Sequence, residues 1–232
     1  MGAPKSPADQ PHYLGHRDRL RARFASAGAE ALADYELLEL YLCLAIPRRD
    51  VKPIAKKLLA RFGSLNGVLA APEERLCEIA GLGPQGAQAI KLAQAIKLRG
   101  LKERITARTV IGSWEALLDY CRAHLAHEPS EQLRVLFLDI KNGLIADEIQ
   151  QQGTVNHVTL YPREIIKRAL EHGAAALILV HNHPSGDPTP SKADIDMTKE
   201  TIEAGKRLGI AIHDHLIIGR AGHSSFRALG LL

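Results

Sequence analysis

Aromatic residues make up only 4% of the 232-residue chain. That scarcity argues against a single-strand nucleic-acid binder that stacks bases on rings. Cysteine is equally sparse: Cys43, Cys77 and Cys121 are odd in number and widely spaced. They form neither a disulfide framework nor a CxxC zinc pattern, so a reducing, cytoplasmic setting is expected. No apolar run approaches the roughly 18 residues that suggest a membrane span, so no membrane partner is expected. Residues 1–10 contain no apolar stretch, and a secretory leader is not expected there.

What is present is an ordinary globular composition, 46% hydrophobic and 24% charged, in a chain long enough for one large domain or two small ones. The net charge of +4 conceals a division. Residues 1–110 hold eighteen Lys/Arg against eleven Asp/Glu, whereas residues 111–232 hold twelve against fifteen. Nine of the eleven histidines lie in the second half. The chain therefore divides into an irregular arm (1–16, with Pro4, Pro7 and Pro11), a basic helical domain (17–110) and a mildly acidic, histidine-rich domain (111–232).

The helical half is punctuated by local signals. Asp34 is expected to cap a helix over 35–44, and Asp50 one over 51–62 that Gly63 closes. Pro72 suits the first position of a helix over 73–79, and a longer helix is expected over 85–100. Beyond 110, one more helix (114–125) precedes two β-rich runs, 133–140 and 144–151, joined by Asn142-Gly143, a strong hairpin signal. A helix over 162–172, a buried strand over 174–180, a helix over 192–208 and a strand over 210–218 follow. This alternation predicts an α/β sheet covered on both faces.

The densest chemistry is His181-Asn-His-Pro-Ser-Gly-Asp-Pro-Thr-Pro-Ser-Lys-Ala-Asp194. It begins where the buried strand ends, the end at which α/β sheets collect ligands. In an extended segment His181 and His183 point the same way and Asn182 points away. Two imidazoles with Asp194 folded back as a third ligand would leave zinc an open position, the pattern of a catalytic site. The prolines at 184, 188 and 190 reduce the entropy lost in fixing the loop. Ser191-Lys-Ala-Asp194 is also an ordinary capping box, and on those four residues alone the capping reading is the stronger. The combination at one strand end favours metal binding.

His181-x-His183-Pro184 followed by Pro190-Ser191-x-x-Asp194 resembles the JAMM (JAB/MPN) metalloprotease signature. The longer string, with Tyr161-Pro-Arg-Glu164 upstream and Asp214-His-Leu-Ile-Ile-Gly219 downstream, resembles the bacterial RadC (UPF0758) branch. The resemblance implies a deaminase-like α/β sandwich (MPN/JAMM) after an all-α helix-hairpin-helix domain. It implies Zn2+ held by His181, His183 and Asp194, and Ser191 helping to hold a scissile carbonyl oxygen. It also implies a glutamate on an upstream strand beside the zinc water. Glu148 is the candidate for this base and Asp147 its rival; adjacent strand residues face opposite ways, so only one can reach the metal. The implied activity is hydrolysis of a peptide or isopeptide bond in a peptide or protein substrate, with the base moving the proton and zinc and Ser191 stabilising the oxyanion. The solvated-surface reading of Glu148 stands beside this one.

His213-Asp214-His215 is a second H-x-H. Both imidazoles are expected on one strand face, as support for the site or as core packing rather than a separate metal centre. His157, His172 and His223 carry no partner pattern. In the first half, Leu76 to Ile90 resembles a helix-hairpin-helix. Its Gly81-x-Gly83 turn would present backbone N–H groups to a DNA phosphate, with Lys91 nearby, without reading bases. Nonspecific DNA is therefore an expected partner. The competing functions are a metal-dependent nuclease or DNA-repair accessory protein, and a non-catalytic scaffold. A nuclease commonly needs two metals, and ligands for a second are not evident. A zinc deaminase is disfavoured because H-x-E and P-C-x-x-C are absent.

Overall fold

A computed structural model of the protein describes residues 15–47, 49–106, 112, 114–152 and 162–232. Most of the expected N-terminal arm (1–14), together with Arg48, His157 and Tyr161, lies outside these residues. The chain forms two compact units that divide between Gln94 and Ala95.

The first unit is helical: α1 (His16–Ala27), α2 (Asp34–Ala45), α3 (Lys52–Phe62), α4 (Leu65–Ala70), α5 (Glu73–Cys77) and the start of α6 (Gly83–Thr106). Its core is built from Leu42, Leu58, Val68, Leu76 and Ile90, all fully enclosed. Two helix starts differ from expectation. Asp34 lies within α2, and the Glu36 carboxylate reaches back to accept from the Ala33 N–H at 3.1 Å. Pro72 stands just outside α5, with ψ 145°, rather than in its first turn. The short α4, not anticipated, is capped by Ser64, whose Oγ accepts from the Gly67 N–H at 3.0 Å. Asp50 does act at the start of α3, accepting from the Lys52 N–H at 3.0 Å.

The second unit is a mixed five-stranded sheet with helices on both faces. Its elements are α7 (Trp114–Leu125), β1 (Gln132–Leu138), β2 (Leu144–Gln152), α8 (Pro162–Glu171), β3 (Ala176–Asn182), α9 (Lys192–Lys206), β4 (Ala211–Ile218) and β5 (His223–Ser225). The order is β2-β1-β3-β4-β5; among the described residues only β3 and β4 run parallel. Every residue of β1 and β3 is buried, as central strands require. Alternate side chains separate the two layers. Leu136, Ile178 and Val180 pack with α7 and with Leu101 and Ile105 of the last turns of α6, while Leu133, Val135, Phe137 and Leu179 pack with α8 and α9. Two pairings position the site. The antiparallel register sets Leu133 opposite His181, so the chain entering β1 meets the end of β3. The β3–α9–β4 crossover brings the N-terminus of α9 to that same end.

Candidate metal centre

His181 is the penultimate residue of β3 and 1% exposed. His183 follows the strand and is tied back to β4 by its N–H, which donates to the Ile218 carbonyl at 3.0 Å. Asp194 lies in the first turn of α9 and is also buried. The three side chains converge. His181 Nε2 lies 3.0 Å from His183 Nε2 and 3.3 Å from Asp194 Oδ1, and His183 Nε2 lies 3.5 Å from Asp194 Oδ2. Glu131 joins them: one ligand atom from each of the four lies within 4.8 Å of the others.

The donor set fits a cation. His183 Nδ1 is 2.8 Å from the Asp187 carbonyl oxygen, which can only accept, so this nitrogen carries a proton and the neutral ring presents its lone pair at Nε2. That lone pair faces another imidazole nitrogen and a carboxylate, and such a set repels itself unless a positive charge sits among it. The spacing agrees as well. Ligands about 2.0–2.1 Å from a tetrahedral zinc stand about 3.4 Å apart, close to the 3.0–3.5 Å found here. The electrostatics point the same way. Burial raises the Asp194 carboxyl, but the His181 and His183 imidazoles beside it and the Ser191 N–H overcome it and hold the group well below the usual carboxylate range. The Asp194 carboxylate in turn raises His183. Positive charge is favoured at this spot.

Ser191 and Asp194 show that the capping and ligand readings coexist. The Ser191 N–H donates to Asp194 Oδ2 at 2.7 Å and the Asp194 N–H donates to Ser191 Oγ at 3.2 Å. The capping box thereby aims the carboxylate at the histidines, and Ser191 stays exposed at the rim. The intervening loop leans on β4. Gly186 has φ +95°, and its carbonyl lies so near Gly219 that a Cβ there would be 2.3 Å away.

Glu131 was not anticipated, and Glu148, expected as the base, stands elsewhere. Its carboxylate accepts from Arg168 Nε at 2.8 Å and from the Gln150 amide at 3.0 Å, and His172 Nε2 sits 2.8 Å away. The Arg168 hydrogen bond, aided by His172, holds Glu148 down to about 2. A carboxylate so weakly basic suits proton abstraction poorly. The pairing explains the difference: Glu148 lies opposite Val135, on a strand separated from β3 by β1. Asp147 faces the other layer and pairs with Arg134 at 2.6 Å and with the Tyr120 hydroxyl. Glu131, by contrast, immediately precedes β1, where the antiparallel register meets the end of β3. Asn182 points away from the histidines, as expected, and grips that segment. Its Oδ1 accepts from the Gln132 N–H at 2.9 Å, and its amide donates to the Ser130 carbonyl at 3.0 Å.

The second H-x-H does not act as a pair. The β3–β4 register sets Leu177 opposite Ile212 and Ile178 opposite Asp214, so His213 is a bulged residue. His213 Nε2 meets Asn142 Oδ1 at 2.6 Å, whereas His215 Nε2 meets His181 Nδ1 at 2.7 Å. Burial, then the neighbouring His181, pushes His215 well below its ordinary value.

In the first unit, Gly81 and Gly83 take left-handed φ values of +95° and +66° in the turn that opens α6. The Arg49 guanidinium packs against Gly81: a Cβ there would be 3.1 Å from its Nη2. Lys91 is used internally. Its Nζ donates to the Ala71 carbonyl at 3.0 Å, at the end of α4. Among the described residues no helix is long and apolar enough to cross a membrane.

Residues 111–231 match the family model described as RadC-like JAB domain, and residues 12–90 match the model described as UPF0758 N-terminal.

Proposed function

This chain belongs to the RadC-like JAB family with a UPF0758 N-terminal region, and from that premise we propose that it is a zinc-dependent hydrolase of peptide or isopeptide bonds. The observation that carries the reading is the convergence of Glu131, His181, His183 and Asp194 at the end of β3. His181, His183 and Asp194 would hold the metal. Zinc bound there supplies Lewis acidity and a water whose pKa falls to about 7. Glu131, rather than Glu148, takes the proton of the attacking water and returns it to the leaving amine nitrogen. Because Ser191 Oγ accepts from the Asp194 N–H, its own hydrogen is free to donate to the scissile carbonyl oxygen, where negative charge develops.

The test compares zinc-loaded wild type, Glu131→Gln and Glu148→Gln on a peptide, an isopeptide-linked peptide and DNA. Glu131→Gln is expected to keep its zinc and lose turnover, while Glu148→Gln keeps both. Full turnover by Glu131→Gln removes the assigned base. Cleavage of DNA with both peptides untouched would replace the reading with a nuclease, and a zinc-loaded protein inert on all three would favour a scaffold.

For the first unit, the reading is nonspecific contact with a DNA backbone. It is supported by the Gly81–Gly83 turn at the start of α6 and by Arg49 beside it. The full chain should bind duplex DNA with a logarithmic salt slope of about −0.9 per phosphate contacted, and Arg49→Ala should flatten it. No binding at low salt would end this reading.

A further inference from the structure

Behind His181 lies a chain of hydrogen bonds that leads back to the backbone of another member of the cluster. His181 Nδ1 is 2.7 Å from His215 Nε2, and His215 Nδ1 is 2.7 Å from Thr198 Oγ1. Thr198 Oγ1 is 2.6 Å from the Asp194 carbonyl oxygen. His215 and Thr198 are wholly enclosed, and the His215 ring stacks on Phe226 with centroids 4.5 Å apart. The bulge at His213 turns His215 toward His181.

The protons in this chain can be counted. A carbonyl oxygen has none, so the 2.6 Å contact requires the Thr198 hydroxyl hydrogen to point at Asp194. A hydroxyl has one hydrogen, so the contact to His215 must be filled from the other side, by Nδ1–H of His215. His181 Nε2 faces His183 and Asp194, so when a metal takes that atom the ring's hydrogen stands on Nδ1. That hydrogen points at His215 Nε2, which accepts it, and the count from the Thr198 end, which puts the His215 hydrogen on Nδ1, agrees.

We propose that His215 and Thr198 are positioning residues that fix His181 in the tautomer with its Nε2 lone pair free for the metal. The inference rests on the metal reading above. It goes beyond it in assigning the direction of the whole chain, which starts at a carbonyl of α9 and ends at a ligand on β3. Because the carbonyl belongs to Asp194, the chain behind His181 is anchored on the backbone of a second ligand. Interactions of this kind typically govern metal affinity by 10- to 100-fold.

The test uses full-length protein with 15N-labelled histidine, first stripped of metal. Long-range proton–nitrogen NMR spectra should show His181 and His215 both protonated at Nδ1, with His215 bare at Nε2. Thr198→Val, which keeps the shape but removes the hydroxyl, should shift His215 and His181 toward the other tautomer and raise the zinc dissociation constant about tenfold or more in chelator competition. Thr198→Ser should restore both. A bare Nδ1 on either histidine of the metal-free wild type, or a protonated Nε2 on its His215, overturns the proposal. So does Thr198→Val with unchanged tautomers and unchanged zinc affinity. Should that variant not fold, the wild-type spectrum decides by itself, and His215→Phe supplies the affinity comparison. A wild type with the stated tautomers that binds no zinc would instead refute the metal reading while leaving the proton chain in place.

Discussion

Asn182 clamps the backbone on both sides of Glu131, accepting from the Gln132 N–H and donating to the Ser130 carbonyl. The residue between the two histidines thereby sets where the acid stands. Asn182 is 1% exposed, so truncation leaves the Gln132 N–H buried without its partner, at a cost of about 1–3 kcal/mol. Asn182→Ala should keep wild-type zinc content, since His181, His183 and Asp194 remain. Its turnover should fall about a hundredfold, the usual consequence of displacing a reacting group by about 1 Å. Combined with Glu131→Gln it should be no slower than Glu131→Gln alone. Additive losses in that double variant would show that Asn182 acts on something other than Glu131.

This clamp also shows why the site was only partly legible in the sequence. His181, His183, Ser191 and Asp194 belong to one rigid loop and the helix it enters, so their spacing alone brings them near one another. Glu131 lies fifty residues upstream of His181, and only the antiparallel pairing of β1 with β3 brings it in. The alternation along β2 correctly predicts that Glu148 and Asp147 face opposite ways, but not that both are separated from β3 by β1. Likewise, period-2 reasoning puts His213 and His215 on one face, and a bulge that leaves no local signal separates them. The β5 strand, three residues of His-Ser-Ser, has no hydrophobic pattern to reveal it. Elements with strong local signals, such as the amphipathic α7 and the continuous apolar run of β3, lie close to where the sequence puts them.

Glu148 should reveal itself as a structural acid through its pH dependence. Arg168 holds its carboxyl below the ordinary 4.5, at about 2. The folded form therefore binds a proton less readily than the unfolded chain. Its stabilisation is complete above pH 4.5 and is lost as the pH falls from there toward 2. The Arg168–Glu148 pair is partly solvated, with side-chain exposures of 36% and 28%, so about 1 kcal/mol is the appropriate scale at neutral pH. Melting curves of wild type and Glu148→Gln should differ most at pH 6–7 and converge toward pH 2–3. A difference that stays constant over this range would remove the assigned role.

Lys91 offers a contrast between a basic residue that binds outward and one that holds the fold. Its ammonium caps the carbonyl end of α4 through Ala71. A hydrogen bond with a charged partner is worth about 1.5–3 kcal/mol. Lys91→Met should therefore lower the denaturant midpoint of the first unit while leaving DNA affinity, followed by fluorescence anisotropy, nearly unchanged. Arg49→Ala should do the opposite. Equal losses of DNA affinity in both variants, with stability unaffected, would return Lys91 to the binding surface.

Gly219 tests whether the metal loop is held in place by close packing. Its φ is ordinary, so alanine is allowed by the backbone itself. A methyl group there would nevertheless stand 2.3 Å from the Gly186 carbonyl oxygen and 3.1 Å from Pro188 Cδ. Neither neighbour is the far end of a flexible side chain, so the loop from His183 to Pro188 must move. Overpacking of this kind costs about 1–3 kcal/mol, and His183, whose Nδ1 is bonded to the Asp187 carbonyl, moves with the loop. Gly219→Ala should weaken zinc binding as well as lower the melting temperature. Gly222→Ala, where a Cβ meets nothing within 4 Å, is the control and should change neither. If Gly219→Ala lowers the melting temperature but binds zinc with wild-type affinity, His183 does not depend on the loop for its position.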